Sequence, residues 1–414
     1  MQYSEYGPSS VLHIVERAEP EPPAGRIRIA VRAVGVNPFD WKVRNGAFGT
    51  SPDRLPMIPH SDAAGVVDAV GEGVEGVAVG DEVFGVAEGG AAAEHAILRH
   101  WAAKPPALSF TEAAGLPNVV ETAGRALDLL GLGRTQPPAT AHGPAAAQGP
   151  ATAHGTTTAT APGTASTGDA GTGASAASSS PAPTAAAPSG NAPAGGVSAG
   201  DTATSGVAGN TATGGVSGGA ATSGVAGGAA TSGEPGGEGR AAHRDDAQPA
   251  AGVTLVVNGA AGGVGIAAVQ IAIARGATVI GTASERNHDF LRGLGVIPVT
   301  YGPGLADRIR ALAPDGVDRA LDTAGRGAVA ELVTLTPTPA DVVSIADFDA
   351  PKLGARVTDG SEGRAYQTMH EAAALYTAGR FSMPVERTFP LEEAAAANDL
   401  SESGHVRGKI VITI

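Results

Sequence analysis

Residues 253–284 read VTLVVNGAAGGVGIAAVQIAIARGATVIGTAS. The β-branched run at 253–257 suits a strand buried on both faces. Gly262, Gly263 and Gly265 remove side chains where a backbone must turn tightly and let another group come close. Residues 266–275 carry apolar side chains at helical spacing, Gly276 can end that helix, and 278–280 begin a second apolar run. Strand, glycine turn, helix and strand in this order form a β-α-β unit. Such a turn aims the unpaired N–H groups and positive end of a helix at an anion. The pattern Ala260-x-Gly262-x-x-Gly265, with Val264 inside it, therefore reads as a pyrophosphate-binding turn of a dinucleotide-binding unit.

The end of the second strand bears on which dinucleotide. Units that bind NAD usually carry Asp or Glu about 20 residues after the turn, bonded to the ribose 2′-hydroxyl. Here the residues are Thr282, Ala283, Ser284, Glu285 and Arg286. A hydroxyl at 284 and a planar cation at 286 suit a 2′-phosphate. A carboxylate in the place of Ser284 would repel that phosphate by on the order of 4 kcal/mol at about 6 Å and an effective dielectric near 20. NADPH is the expected cofactor.

The chain has 414 residues, no Cys, 61 Gly, 30 Pro and a formal net charge of −14. Lack of cysteine excludes disulfides, thiolate metal sites and a cysteine nucleophile. The acidic balance argues against nucleic acid as a partner, because phosphate neutralisation needs clustered Lys and Arg. No basic region followed by an apolar core opens the chain, and Arg275 interrupts the longest apolar run, so no signal peptide or membrane span is expected. A cytoplasmic address fits these features.

Composition breaks near Arg134 and recovers near Ala250. Between them lie Ala, Gly, Thr, Ser and Pro, with internal copies: PATAHG at 138–143 and 150–155, TSGVAG at 204–209 and 222–227. Segment 135–250 is too poor in large apolar residues to offset chain entropy, so it is expected to be a long disordered insertion. Closure entropy grows only logarithmically with length, so a folded host tolerates it. His142 and His154 within it read as solvated residues rather than metal ligands. Outside the insertion, short alternating strands such as 27–31 and 65–70 lead to a helical stretch, 111–130, interrupted at Pro117. Strands and helices alternate over 252–345, with strands at 319–322 and 342–346. A helix from Tyr366 to Gly379, another at 391–400 and a closing strand at 409–414 complete the pattern.

With those elements in place, the chain resembles the medium-chain dehydrogenase/reductase superfamily, in its zinc-free quinone-oxidoreductase-like and enoyl-reductase-type branch. The matching stretches are GVNPFDWKVRNG (35–46), DAAGVVDAVGEGV (62–74), GDEVFG (80–85), KPPALSFTEAAGLP (104–117), VNGAAGGVGIAAVQIA (257–272) and RGKIVITI (407–414). They occur in the family's order. The resemblance implies an α/β protein. A GroES-like β-rich catalytic domain would span 1–125, completed by 366–414. A Rossmann domain with a doubly wound parallel sheet would span 126–134 and 251–365. It also implies a homodimer.

Zinc-dependent members of the superfamily have ligands where Asn37, Ser61 and Asn118 fall here, and these are poor zinc ligands. His60, one place off, replaces a small residue beside the cleft. No metal is expected. Without a Lewis acid, hydride transfer into a conjugated acceptor is easier than alcohol oxidation, because the charge that develops can be met by hydrogen-bond donors alone. The expected function is a zinc-independent NADPH-dependent reductase of a small-molecule quinone or α,β-unsaturated carbonyl (enone). The alternative is a non-catalytic NADPH-binding sensor or structural protein on the same fold.

By the same resemblance, Gly262, Gly263, Val264 and Gly265 match the phosphate turn, and Ser284 and Arg286 the 2′-phosphate contacts. Tyr301 would lie near the adenosine end, and Asn37 and Thr122 near the nicotinamide. Asp40 and Lys42 could relay a proton or pair with each other at the surface. His95 could be a proton donor, standing where the family often has Tyr, or be a packing residue. Glu121 departs from the family by replacing a commonly apolar residue.

Overall fold

The computed structural model describes residues 1–133, 249–404 and 406–414. The expectations for the insertion, and for His142 and His154, lie outside the described residues. Pro249 and Ala250 lie in a turn, where the buried Ala250 donates its N–H to the Arg275 carbonyl at 2.9 Å.

In chain order the first elements are β1 (Ile27–Val36), α1 (Pro38–Arg44), β2 (Asp62–Val70), β3 (Glu82–Glu88), β4 (His95–Ala103), α2 (Phe110–Ala114) and α3 (Pro117–Leu129). Next come β5 (Thr254–Asn258), α4 (Gly263–Ala274), β6 (Thr278–Ala283), α5 (His288–Gly293), β7 (Ile297–Thr300), α6 (Leu305–Leu312) and β8 (Arg319–Asp322). The chain closes with α7 (Val329–Leu332), β9 (Val342–Ser344), β10 (Arg356–Val357), α8 (Thr368–Thr377), β11 (Val385–Pro390), α9 (Ala394–Ser403) and β12 (Lys409–Thr413).

Two six-stranded sheets result. The first runs β11-β12-β1-β2-β3-β4 and is mostly antiparallel, with β11 parallel to β12. The start of β1 also pairs with β4, Ile27 facing Leu98 and Ala30 facing His95, which curls the sheet toward a closed barrel. The C-terminal strands β11 and β12 belong to this sheet, so the end of the chain completes the lobe that its beginning starts. Within 111–130 the helical pattern breaks where expected. Ser109 caps α2 by accepting the Glu112 N–H at 3.2 Å, and Pro117 opens α3 at a position where its missing N–H costs nothing.

The second sheet is parallel, ordered β10-β9-β8-β5-β6-β7. The strands on one side of β5 ascend in chain order and those on the other begin again from β8. That is the doubly wound arrangement, with its switch point between β5 and β8. Val256, Val257, Ile280 and Leu321 in these strands are buried, because helices cover both faces. Helix α3 packs against α4, and α8 packs against α3 and β4, so these helices join the two sheets.

Candidate active site

The carboxyl ends of β5 and β8 open into a cavity of about 960 Å³, which also takes in the start of α1 and the exposed side of α3. Such a cleft at the switch point is where open α/β sheets bind ligands.

Its floor on the second sheet is the glycine turn. Gly259, directly after β5, adopts φ +83°. A Cβ on Gly265 would run into the Gly259 carbonyl oxygen and the Ala260 backbone, so the helix can approach the strand this closely only with glycine there. Gly262 differs. Its φ of −81° suits any residue, and a Cβ there would meet nothing nearer than the Gly259 carbonyl oxygen at 3.5 Å. Protein packing does not require glycine at 262, and the cavity beside it has room for a ligand's phosphates. The first N–H groups of α4 have no partner within the helix, so the turn fits a pyrophosphate.

A buried polar row behind the turn holds it in place. Thr282 Oγ1 donates to Asn258 Oδ1 at 2.6 Å and accepts from the Gly259 N–H at 3.0 Å. Asn258 Nδ2 donates to Asp322 Oδ1 at 2.8 Å. Asp322 also accepts from the Gly325 N–H at 2.9 Å and from Ser344 Oγ at 2.7 Å. Four strand ends are thus tied together at the level of the ligand.

Ser284 follows β6 and, with Arg286, lines the same cavity; Tyr301, 57% exposed, lines it beyond β7. Glu285 is exposed and is not part of the lining, so its charge is turned away from the position a 2′-phosphate would take. Asn37, Thr122 and Lys42 line the opposite end. All nine residues expected at the cofactor share one cavity.

Asp40 is not paired with Lys42 at the surface, which corrects that alternative. Its carboxylate is buried, accepts from the Asn37 N–H at 2.7 Å and lies 2.8 Å from His60 Nδ1. Lys42 instead stands 5.6 Å from the Trp41 ring centre. His60 occupies the left-handed region at φ +66°, uncommon for a residue other than glycine. Asp40 and Asn398, whose Nδ2 lies 3.3 Å from His60 Nε2, hold the buried ring. His95 does not reach the cavity. It sits on β4 with Nδ1 2.8 Å from Asp68 Oδ2.

Several residues of the site were not expected. Lys409, at the head of β12, is buried and lines the cavity. Its Nζ donates to Asn37 Oδ1 at 2.5 Å and to the Val36 carbonyl at 3.0 Å. Asn37 Nδ2 donates to Asp62 Oδ2 at 2.9 Å, and Asp62 Oδ1 accepts from the Asn118 N–H at 3.1 Å. Burial pushes the Asp62 carboxyl up to about 7, opposed first by the Lys409 charge. Burial likewise pushes the Lys409 ammonium down, opposed by Asp62. A lone cation heading an apolar strand was the available signal for Lys409. Arg125 and Arg364 also line the cavity.

The zinc-ligand positions do not fit a zinc ion. Asn37, Ser61 and Asn118 offer neutral, weak donors, and a buried ammonium on Asn37 Oδ1 would repel a dication. Among the described residues no group of three or more His, Asp or Glu could hold a metal.

Two family models match the chain: an alcohol dehydrogenase GroES-like domain over residues 23–106 and a zinc-binding dehydrogenase domain over residues 295–412. Over these two stretches the chain is similar to the medium-chain dehydrogenase/reductase superfamily. A chloroplastic quinone-oxidoreductase homolog of Spinacia oleracea is 38% identical over 134 residues, 31% of this chain and 41% of that protein. A chloroplastic NADPH-dependent alkenal/one oxidoreductase of Arabidopsis thaliana is 36% identical over 137 residues, 30% of this chain and 36% of that protein. The aligned stretches thus span less than half of these relatives. Among solved structures, the quinone oxidoreductase of Coxiella burnetii superposes with a TM-score of 0.62 at 22% identity, covering 100% of this chain and 98% of the other. The Escherichia coli quinone oxidoreductase complexed with NADPH gives 0.60 at 17% identity, covering 100% and 99%. The model with the zinc-binding name matches 295–412, and Asn37, Ser61 and Asn118 all lie outside that stretch. No helix among the described residues is long and apolar enough to cross a membrane.

Proposed function

We propose that this protein is a zinc-independent NADPH-dependent oxidoreductase of the medium-chain dehydrogenase/reductase superfamily, acting on a quinone or an α,β-unsaturated carbonyl. The observation that carries the reading is the single cavity lined by the glycine turn, by Ser284 and Arg286, and by Asn37 and Thr122. The names of the relatives as quinone and alkenal/one oxidoreductases support the acceptor class.

The N–H groups at the start of α4 would hold the pyrophosphate, Ser284 and Arg286 the 2′-phosphate, and Tyr301 the adenosine end. When bound, the reduced nicotinamide supplies a hydride to the acceptor. Asn37 and Thr122 would orient the ring, and Lys409 and Asp62 would fix the Asn37 amide in one orientation. The same reading makes the protein a cytoplasmic homodimer, which fractionation and sizing chromatography test.

The direct experiment mixes purified protein with NADPH and a panel of small quinones and enones, following loss of reduced-cofactor absorbance. Turnover is expected with at least one acceptor. NADPH binding seen by fluorescence, with no oxidation by any acceptor, would instead mark a non-catalytic sensor or structural protein.

A further inference from the structure

Beside the main cavity lies a smaller chamber of about 130 Å³, lined by Phe39, Ser61, Asn118, Glu121, Arg364 and Tyr366 among others. An apolar cavity of comparable size accommodates a benzene ring. Phe39, Asn118 and Arg364 line both spaces, so they stand at the junction. Arg364 is the one cation of the three.

Arg364 is tied to α3 through Glu121. Glu121, whose side chain is 2% exposed, accepts one bond from Arg364 Nη1 at 3.3 Å. The same carboxylate accepts from the Ala365 N–H at 3.1 Å and from Arg125 Nε at 3.0 Å. Glu121 therefore ties the segment carrying Arg364 to α3. Arg125 fastens the other end of that segment through Thr358, with Glu362 3.7 Å away. Gly360, at φ +88°, lies directly under the guanidinium, and a Cβ there would collide with it.

A guanidinium has five N–H donors. Among the described residues Arg364 makes one hydrogen bond and its side chain is 43% exposed, so its other donors are free of protein partners and can meet a ligand at the junction. The charge of Glu121 is shared between two arginines and does not cancel Arg364. Asp359, also in the lining, is engaged by the Ser361 N–H at 2.8 Å.

Resting on the reductase reading, we propose that Arg364 is a catalytic residue that receives the carbonyl oxygen of an enone or quinone acceptor and stabilises its developing negative charge. When bound, the reduced nicotinamide would supply a hydride to the β-carbon of the enone. The C=C electron pair shifts to make an enolate whose oxygen faces Arg364. A solvent proton then adds to the α-carbon, leaving the saturated carbonyl compound and oxidised cofactor. Glu121 is the positioning residue for this donor, which accounts for a buried carboxylate where an apolar residue is usual.

The test compares wild type with Arg364→Gln, Arg364→Lys and Arg364→Ala. Loss of an oxyanion donor lowers kcat by about a hundredfold or more. That fall is expected for Arg364→Gln with a simple enone, with NADPH affinity by fluorescence unchanged. Lysine should restore part of the rate, and millimolar guanidinium should restore part of it to Arg364→Ala. As a readout apart from turnover, para-nitrophenol should bind wild type as the phenolate, seen in its absorption, and Arg364→Gln should lose that spectrum. Unchanged kcat with the phenolate spectrum intact in Arg364→Gln would overturn the assignment while the reductase reading stands. So would a fall in Arg364→Ala that guanidinium cannot restore while nitrophenolate still binds. A wild type inactive with every acceptor would sink the reductase reading itself.

Discussion

The Lys409 ammonium lies 2.5 Å from Asn37 Oδ1, and the opposite end of that amide faces Asp62 at 2.9 Å. A neutral dipole thus bridges a buried cation and a buried carboxyl. Above about pH 7, where Asp62 is ionised, removing either charge leaves the other without its counterpart in a dry site, which for buried pairs costs about 3 to 5 kcal/mol. Lys409→Met is therefore expected to lower the unfolding free energy by about 3 kcal/mol. The double variant Lys409→Met/Asp62→Asn should recover part of that loss. Denaturant titration of the four proteins measures the coupling, and strict additivity would contradict it.

The Asp62 carboxyl makes stability depend on pH in a definite sense. Its pKa rises from 3.8 to about 7 on folding because it is buried. The folded state keeps the proton that the unfolded chain releases. The stabilisation is therefore complete below about pH 4 and fades as pH rises toward 7, at up to about 1.4 kcal/mol per pH unit. Relative to Asp62→Asn, wild type should lose stability across that window. Parallel curves for the two proteins would contradict the assignment.

Two glycines of the phosphate turn should respond differently to alanine. Gly265→Ala meets backbone that cannot move aside, so melting temperature and NADPH affinity should both fall, with a stability loss of about 1–3 kcal/mol. Gly262→Ala has room in the protein but not beside a phosphate. Its melting temperature should stay near wild type while NADPH affinity drops about tenfold or more, a loss of about 1.4 kcal/mol of binding. Calorimetry of unfolding and of cofactor binding separates the two cases.

Arg286 should discriminate between the coenzymes. Replacing it with Ser removes a charge-assisted partner of the 2′-phosphate, worth about 1.5–3 kcal/mol, and should raise the NADPH KM about tenfold or more. The NADH KM should barely move. Equal effects on both would place Arg286 away from the ribose.

His95 provides the converse case. It lies on β4 beside Asp68 and outside the cavity lining. His95→Gln should leave kcat/KM within about twofold, since surface changes away from a site cost little. A large fall in kcat would reinstate it as a proton donor.

The elements were legible where local pattern decides them. The strand at 319–322 has the observed bounds, and the break at Pro117 separates α2 from α3. The helix after the turn begins at Gly263 rather than near 266, because the glycines themselves take helical conformation. The first turn of the helix at 391–400 is a tighter 3₁₀ turn, Leu391–Glu393. At the site, the glycine turn and Ser284 with Arg286 could be read because consecutive residues bring them together. Lys409, Asp62 and Arg364 could not, since their partners Asn37, Asn118 and Glu121 come from remote parts of the chain. Asp40 was misjudged because its partner, His60, depends on a left-handed backbone that periodicity does not reveal.

The pairing of β1 with β12 sets an order of events during synthesis. Val34 faces Ile412, and the Gly408 N–H reaches the Ala261 carbonyl at 3.2 Å. A ribosome must therefore deliver residues 408–413 before the first lobe can seal or the seam against the glycine turn can form. Until then the early strands wait with an unpaired edge, and a chain halted shortly before Gly408 would lack both Lys409 and that seam.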